Sequence, residues 1–237
     1  STLDATSRVL VNDSDASTYT GAIGLTHAPA HFETDAAGSS TFSGGTVRTS
    51  SPNSIDIGDD AVVTTNTTFD TTNNGALATG ANITFGKTLN GTSNGLQSVT
   101  LNAGTAGTVL VTGTIGNSVP LSTLTLTNSN GATFNSAVTT GTSVVLSDTQ
   151  HAIAFHGGLT TPTLTVAARP FNLTLRANVA PVLKGNFFTV DLKAAQQAFE
   201  DLQDRGLIAM TKDTHFEVKA SDSSRARCWR LTWIGWP

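Results

Sequence analysis

Between residues 83 and 159 the chain repeats one short pattern of apolar and polar positions four times. Each copy has two or three β-forming residues, a small or polar tripeptide, then an aliphatic residue. The copies are ITFGKTL (83–89), VLVTGTI (109–115), ATFNSAV (132–138) and IAFHGGL (153–159). With Phe85, Leu110, Phe134 and Phe155 as anchors, the steps are 25, 24 and 21 residues. Self-similarity at a period of roughly 20–50 residues is the mark of a repeat architecture.

The pattern extends in both directions. TYTGAI places Tyr19 as an anchor 23 residues before Phe42, which opens FSGGTV. From Phe42 to Phe85 is 43 residues, two steps, so a middle copy is expected near residues 61–69 (AVVTTNTTF). LRANV (175–179) reads as a last, degenerate copy. The body, residues 1–168, then holds about eight units of 20–25 residues. Apolar residues alternate or cluster at strand length in VTL (99–101), LSTLTLT (121–127) and SVVLS (143–147). Asn-Gly steps such as Asn74-Gly75 and Asn130-Gly131 supply turns that tolerate positive φ. A unit this short cannot bury its own core. Stacking each unit on the last buries Tyr19, Phe42, Phe85, Leu110, Phe134 and Phe155 in one ladder, with like positions roughly 4.8 Å apart. The fold expected is all-β, a parallel β-helix or β-solenoid of about eight coils.

The pattern stops near Ala168. Over residues 169–224 a helix is expected from Thr189 or Asp191 to about Arg205, with Gly206 as its stop. Leu192, Ala195, Phe199 and Leu202 would form its apolar stripe. Short strands are expected at 207–210 and 215–218. This segment reads as a small α/β cap over an open solenoid end, or as a small interaction module. The last thirteen residues, RARCWRLTWIGWP (225–237), hold all three tryptophans. They admit three readings: a non-native scar, an anchoring tail or a capping strand.

Composition narrows the function classes. Charged residues make up only 13% of the chain, about half the usual share. Few charges and many β-branched residues do not describe a disordered chain. They suit stacked strands, in which like charges in register would repel. Residues 1–165 carry three basic side chains, Arg8, Arg48 and Lys87, against ten acidic ones. An acidic body of this kind argues against nucleic acid as a partner. The single cysteine, Cys228, excludes an internal disulfide framework. No stretch is long and apolar enough to read as a membrane span. The first residue is Ser, and no signal peptide is visible, which fits a mature product or an excised fragment.

The wording of SRVLVND (7–13), TYTGAIGL (18–25), NITFGKTLNG (82–91), LQSVTLNAG (96–104) and LSTLTLTNSNGATFNSAV (121–138) resembles large bacterial surface proteins of the filamentous-haemagglutinin and autotransporter type. The resemblance covers roughly residues 1–165 and lies in the style of the repeat. It implies a right-handed β-helix, secretion to the exterior or the bacterial cell surface, and a passive or adhesive role. Partners would be a cell-surface glycan, a protein ligand or matrix, with self-association through the solenoid ends. No catalytic residue is carried over.

Chemistry is expected where the pattern is interrupted. In THAPAHFETD (26–35), a strand would project His31, Glu33 and Asp35 from one face, with His27 sharing their parity. Imidazole with two carboxylates could hold a divalent metal through His27, His31, Glu33 and Asp35, although no cofactor is required by the reading. The same groups could act as general acid and base. Asp56, Asp59 and Asp60 in SIDIGDDA lack the ligand order of a calcium loop. His151 and His156 read as structural. No nucleophile elbow, phosphate loop or dinucleotide fingerprint occurs.

The leading expectation is therefore a non-enzymatic, adhesive or structural surface β-solenoid. The alternative is a carbohydrate-active β-helix enzyme, a hydrolase or lyase, with Glu33, Asp35, Asp59 and Asp60 as catalytic candidates and Asp56 beside them. A third reading, binding of an ordered surface such as ice through threonine rows, rests on TTNTTFDTT, which lacks a strict Thr-x-Thr register.

Overall fold

The structure is a computed structural model. It describes residues 2–4, 9–50, 54–149 and 151–166, and beyond them the strands Leu173–Arg176, Val179–Gly185, Thr189–Val190, Ile208–Met210, Phe216–Val218 and Leu231–Ile234. No helix occurs among the described residues.

The chain winds into a β-solenoid of about seven turns, with almost all strand pairing parallel. Each turn visits three faces. The first face stacks β1 (Val9–Asn12), β3 (His31–Thr34), β6 (Ile55–Ile57), β9 (Ile83–Phe85), β12 (Val109–Val111), β14 (Ala132–Phe134), β16 (Ile153–Phe155), β18 (Leu173–Arg176) and β23 (Leu231–Ile234). The second stacks β2 (Ala16–Tyr19), β4 (Ser39–Phe42), β7 (Asp60–Val63) and β10 (Leu89–Gly91). The third stacks β5 (Thr46–Arg48), β8 (Thr67–Asp70), β11 (Val99–Asn102), β13 (Leu121–Ser129), β15 (Val138–Thr149), β17 (Leu159–Val166) and β19 (Val179–Gly185), and β20 (Thr189–Val190) closes it by antiparallel pairing with β19. The starts of β15 and β17 continue the second face. Their register shifts, between Thr139 and Ser143 and between Thr160 and Thr163, lie where the strand turns the corner.

Alternation along each strand explains the core. On the first face the inward positions form two rows. One runs Phe32, Ile55, Ile83, Val109, Ala132, Ile153; the other runs Thr34, Ile57, Phe85, Val111, Phe134, Phe155. All of these are buried. Phe134 and Phe155 stack with ring centroids 4.6 Å apart. Phe69 of the third face meets Phe42 and Phe85 edge-on at 5.3 and 5.0 Å.

Three expectations about the repeat are corrected by this register. The anchor of the second copy is Val111, fully buried opposite Phe85 and Phe134, whereas Leu110 points outward and is 38% exposed. Tyr19 and Phe42 pair with each other on the second face and belong to a different row from Phe85. The middle copy is IDIGDDA (55–61), with Ile57 opposite Phe85 and Ala61 opposite Leu89, and not the stretch 61–69. That stretch instead supplies parts of β7 and β8 on the next two faces.

Beyond the body, β18 and β19 carry the stacking past residue 168. The expected strands appear as a short antiparallel pair, β21 (Ile208–Met210) and β22 (Phe216–Val218). Thr189, expected as a helix cap, lies in strand β20. The helix expected to run on to Arg205 lies outside the described residues. Within the tail, β23 joins the first face beside β18.

Candidate functional site

The middle position of each first-face strand points outward, because its neighbours on either side point in. In register this outer row reads Glu33, Asp56, Thr84, Leu110, Thr133, Ala154. Val11 of β1 precedes them, and the two carboxylates then stand on adjacent strands, where like charges directly beside each other are unfavourable. The side chain of His31, two residues before Glu33 on the same face, lies against both. Its Nε2 is 3.2 Å from Glu33 Oε2 and its Nδ1 is 3.9 Å from Asp56 Oδ2. Ser54 Oγ donates to Asp56 Oδ2 and sits 3.3 Å from His31 Nδ1. The two ring nitrogens thus face different partners, Nε2 the Glu33 carboxylate and Nδ1 the Ser54 hydroxyl, and which of them donates depends on the tautomer. The His31 side chain is 17% exposed, against 48% for Glu33 and 37% for Asp56. The carboxylates therefore meet solvent, and the half-buried imidazole is the tie between them.

The remaining candidates lie elsewhere. Asp35 stands at the corner after β3, its Oδ1 buried with no hydrogen-bond partner among the described residues. Asp59 turns inward at the same corner one coil later. It is wholly buried and accepts from Thr34 Oγ1 and Ser40 Oγ, each at 2.7 Å. The preceding Gly58 is where this corner presses on the coil below; a Cβ there would lie 2.6 Å from the Asp35 carbonyl oxygen. Asp60 points outward on the second face and accepts from Thr88 Oγ1 at 2.6 Å and the Thr88 amide at 3.1 Å. The Thr88 hydroxyl holds the Asp60 carboxyl below its ordinary range, helped by the Thr88 amide and Lys87 and opposed by partial burial. His27 is exposed, and its backbone amide donates to Asp4 Oδ1 at 3.2 Å.

The four residues expected as catalytic are thus divided between the interior, a corner and two outer faces. Of the residues expected to bind metal, His31 and Glu33 meet, but His27 and Asp35 do not join them. Among the described residues no group of three or more His, Cys, Asp or Glu could hold a metal ion. Sequence reasoning underrated Asp56 and passed over Ser54 and His31's dual contact. The signal that finds them is register: IDIGDDA aligned on ITFGKTL puts Asp56 in the outward position beside Glu33. It also passed over the end of the third face, where Arg48, Asp70, Asn102 and Asn128 form a polar row. There Arg48 Nε lies 3.5 Å from Asp70 Oδ2.

Compared with known proteins, the chain matches no family model, no curated protein and no solved structure.

Proposed function

We propose that the protein is an adhesive or structural β-solenoid of an extracellular or cell-surface setting. The observation that carries this reading is the use the chain makes of its outer positions. Third-face strands in register present Thr46, Thr68, Thr100, Thr125 and Thr165 along one outer row, interrupted by Val145. The interior ladders hold the shape, and this one row, uncharged from Thr46 to Thr165, offers an extended, hydroxyl-bearing surface to a large partner. The test is retention of the purified protein on intact cells, glycan-coated beads and matrix preparations. Saturable retention is expected, and failure to bind any of them sinks the reading.

A second reading is favoured by one specific observation, the His31 imidazole held between Glu33 and Asp56. A carboxylate pair with a shared imidazole can move a proton at a sugar oxygen or ring carbon, the chemistry of a carbohydrate-active enzyme. Under this reading the wild type cleaves at least one polysaccharide of a broad panel, and Glu33→Gln or Asp56→Asn abolishes the cleavage. An inert wild type removes it.

A further inference from the structure

The polar row at the end of the third face leads into a depression separate from the His31 cluster. Its volume is about 200 Å³, and it is lined by Thr72, Gly75, Ala78, Asn102, Thr127 and Asn128. Three features show that it is built. Strand pairing slips after Leu101, so Leu101 faces Leu126 but Asn102 faces Asn128, and Thr127 is the extra residue. A bulge of this kind bends the strand and re-aims its side chains. Asn128 is half-buried and its Oδ1 is buried with no hydrogen-bond partner among the described residues, so turning this amide into the depression gives up no bond of that oxygen. The facing wall is a turn in which Asn73, Asn74 and Gly75 all take positive φ, 49°, 61° and 86°. Asp70 pins it by accepting from the Thr72 and Asn74 amides at 2.8 and 2.7 Å. Asn102 Nδ2 donates to Thr72 Oγ1 at 3.2 Å, which fixes one amide and leaves its neighbour unsatisfied.

We propose that this depression binds a neutral saccharide unit, with Asn102, Asn128 and Thr127 as its polar partners. The proposal rests on the adhesive reading for its biological sense, and on the depression alone for its chemistry. The lining offers amides and hydroxyls, which donate and accept in the way sugar hydroxyls require. It carries no formal charge. Among the described residues the cation of this row is Arg48; its Nε makes no hydrogen bond, but its charge is balanced by Asp70 at 3.5 Å and its terminal nitrogens donate to the Leu25 carbonyl and Asn74 Oδ1, so an acidic sugar meets no net positive charge here. The volume is below the roughly 300–1,000 Å³ that encloses a drug-sized ligand. That suits one ring or a chain end.

The experiment is a panel of neutral and acidic saccharides applied to the full chain and to three variants, Asn128→Ala, Asn102→Ala and Ala78→Phe. Ala78 is exposed at the rim, so Ala78→Phe fills the depression without touching the strand row. Neutral saccharides are expected to bind, and each variant to weaken binding about tenfold, the effect of losing one ligand hydrogen bond or its space. The melting temperature of Ala78→Phe should equal that of the wild type. No saccharide binding, binding of acidic saccharides only, or undiminished binding by Ala78→Phe overturns the proposal. A negative panel beside saturable retention on cells removes this site and leaves the adhesive reading intact. Saccharide binding by a protein that adheres to nothing supports the site and removes that reading.

Discussion

Replacing Val111 and Leu110 by alanine, one at a time, tests the threading of the solenoid at its most direct point. The two residues are adjacent, both aliphatic, and on opposite sides of one strand. Val111 is fully buried, with Phe85 and Phe134 as its register neighbours in the coils on either side. Val111→Ala removes two methyl groups, worth ~1.6 kcal/mol at ~0.8 kcal/mol each. The large neighbouring rings are themselves clamped by the ladder and cannot close the gap. A residual void of roughly 40 Å³ at about 24 cal/mol per Å³ adds ~1 kcal/mol. The expected loss is therefore ~2–3 kcal/mol. Leu110 is 38% exposed, between Thr84 and Thr133, and its truncation leaves a dent in the surface. Leu110→Ala should cost below ~1 kcal/mol although it removes one more carbon. The assay is denaturant unfolding followed by far-ultraviolet circular dichroism, with amide exchange across β12 to register a local opening of coils that a global signal would blur. If Leu110→Ala costs as much as Val111→Ala, the inward row has been misassigned and the register argument fails.

Three further outcomes follow from named contacts. Asp59→Ala should lower stability by about 2–4 kcal/mol in thermal melts, because the buried Thr34 and Ser40 hydroxyls lose their acceptor; an unchanged melt would show that Asp59 is not what holds this corner. Asp60 has a depressed folded-state pKa, so it stabilises the fold above the unfolded carboxylate value of about 4, and that contribution is lost as pH falls through the lower folded value. Asp60→Asn should flatten this part of the acid limb of a melting-temperature profile, and superimposable profiles would contradict the assignment. Tyr19 is held above its ordinary range by burial, opposed by the nearby Ser40 and Ser17 hydroxyls, and its own hydroxyl makes no hydrogen bond of normal geometry among the described residues. The neutral phenol therefore stabilises below about pH 10, and the benefit is lost as pH rises through the higher folded value. Tyr19→Phe should leave neutral-pH stability unchanged or higher and lessen the alkaline loss in the same melts.

How far the fold was legible depended on which positions carried large side chains. Phe85, Phe134 and Phe155 share one inward row, so their spacing announced stacked coils. The earlier coils hid theirs. At the same row position they carry Ile57 and Thr34, and Thr34 is a polar residue spent on holding Asp59. Tyr19 and Phe42, aromatic residues of these coils, pack on another face. The first coils bury Thr34, Ser40 and Asp59 beside Phe32 and Phe42, a local exchange that composition averaged along the chain cannot show. The threonine register was hidden for a similar reason. In TTNTTFDTT Thr67, Thr71 and Thr72 are buried, while true outward pairs occur later at Thr123 with Thr125 and at Thr163 with Thr165.

The candidate site is less legible in the sequence because its residues lie inside the repeated unit, whose alternate positions are claimed by packing. A solenoid strand commits only alternate positions to the core. Its middle residue faces solvent, and the ladder holds that residue in fixed register with the coil before and after. Such a position is free in composition and constrained in space, which is what a binding or proton-transfer group requires. Glu33 and Asp56 occupy it in two successive coils, and Thr84, Leu110, Thr133 and Ala154 occupy it in the next four. The stretches that looked like interruptions, 26–35 and 54–70, contain strands of the repeat, with Glu33, Asp56 and Asp60 on its outer side. Function in this chain is therefore to be sought along the outer rows of intact coils, at the places where one row changes character.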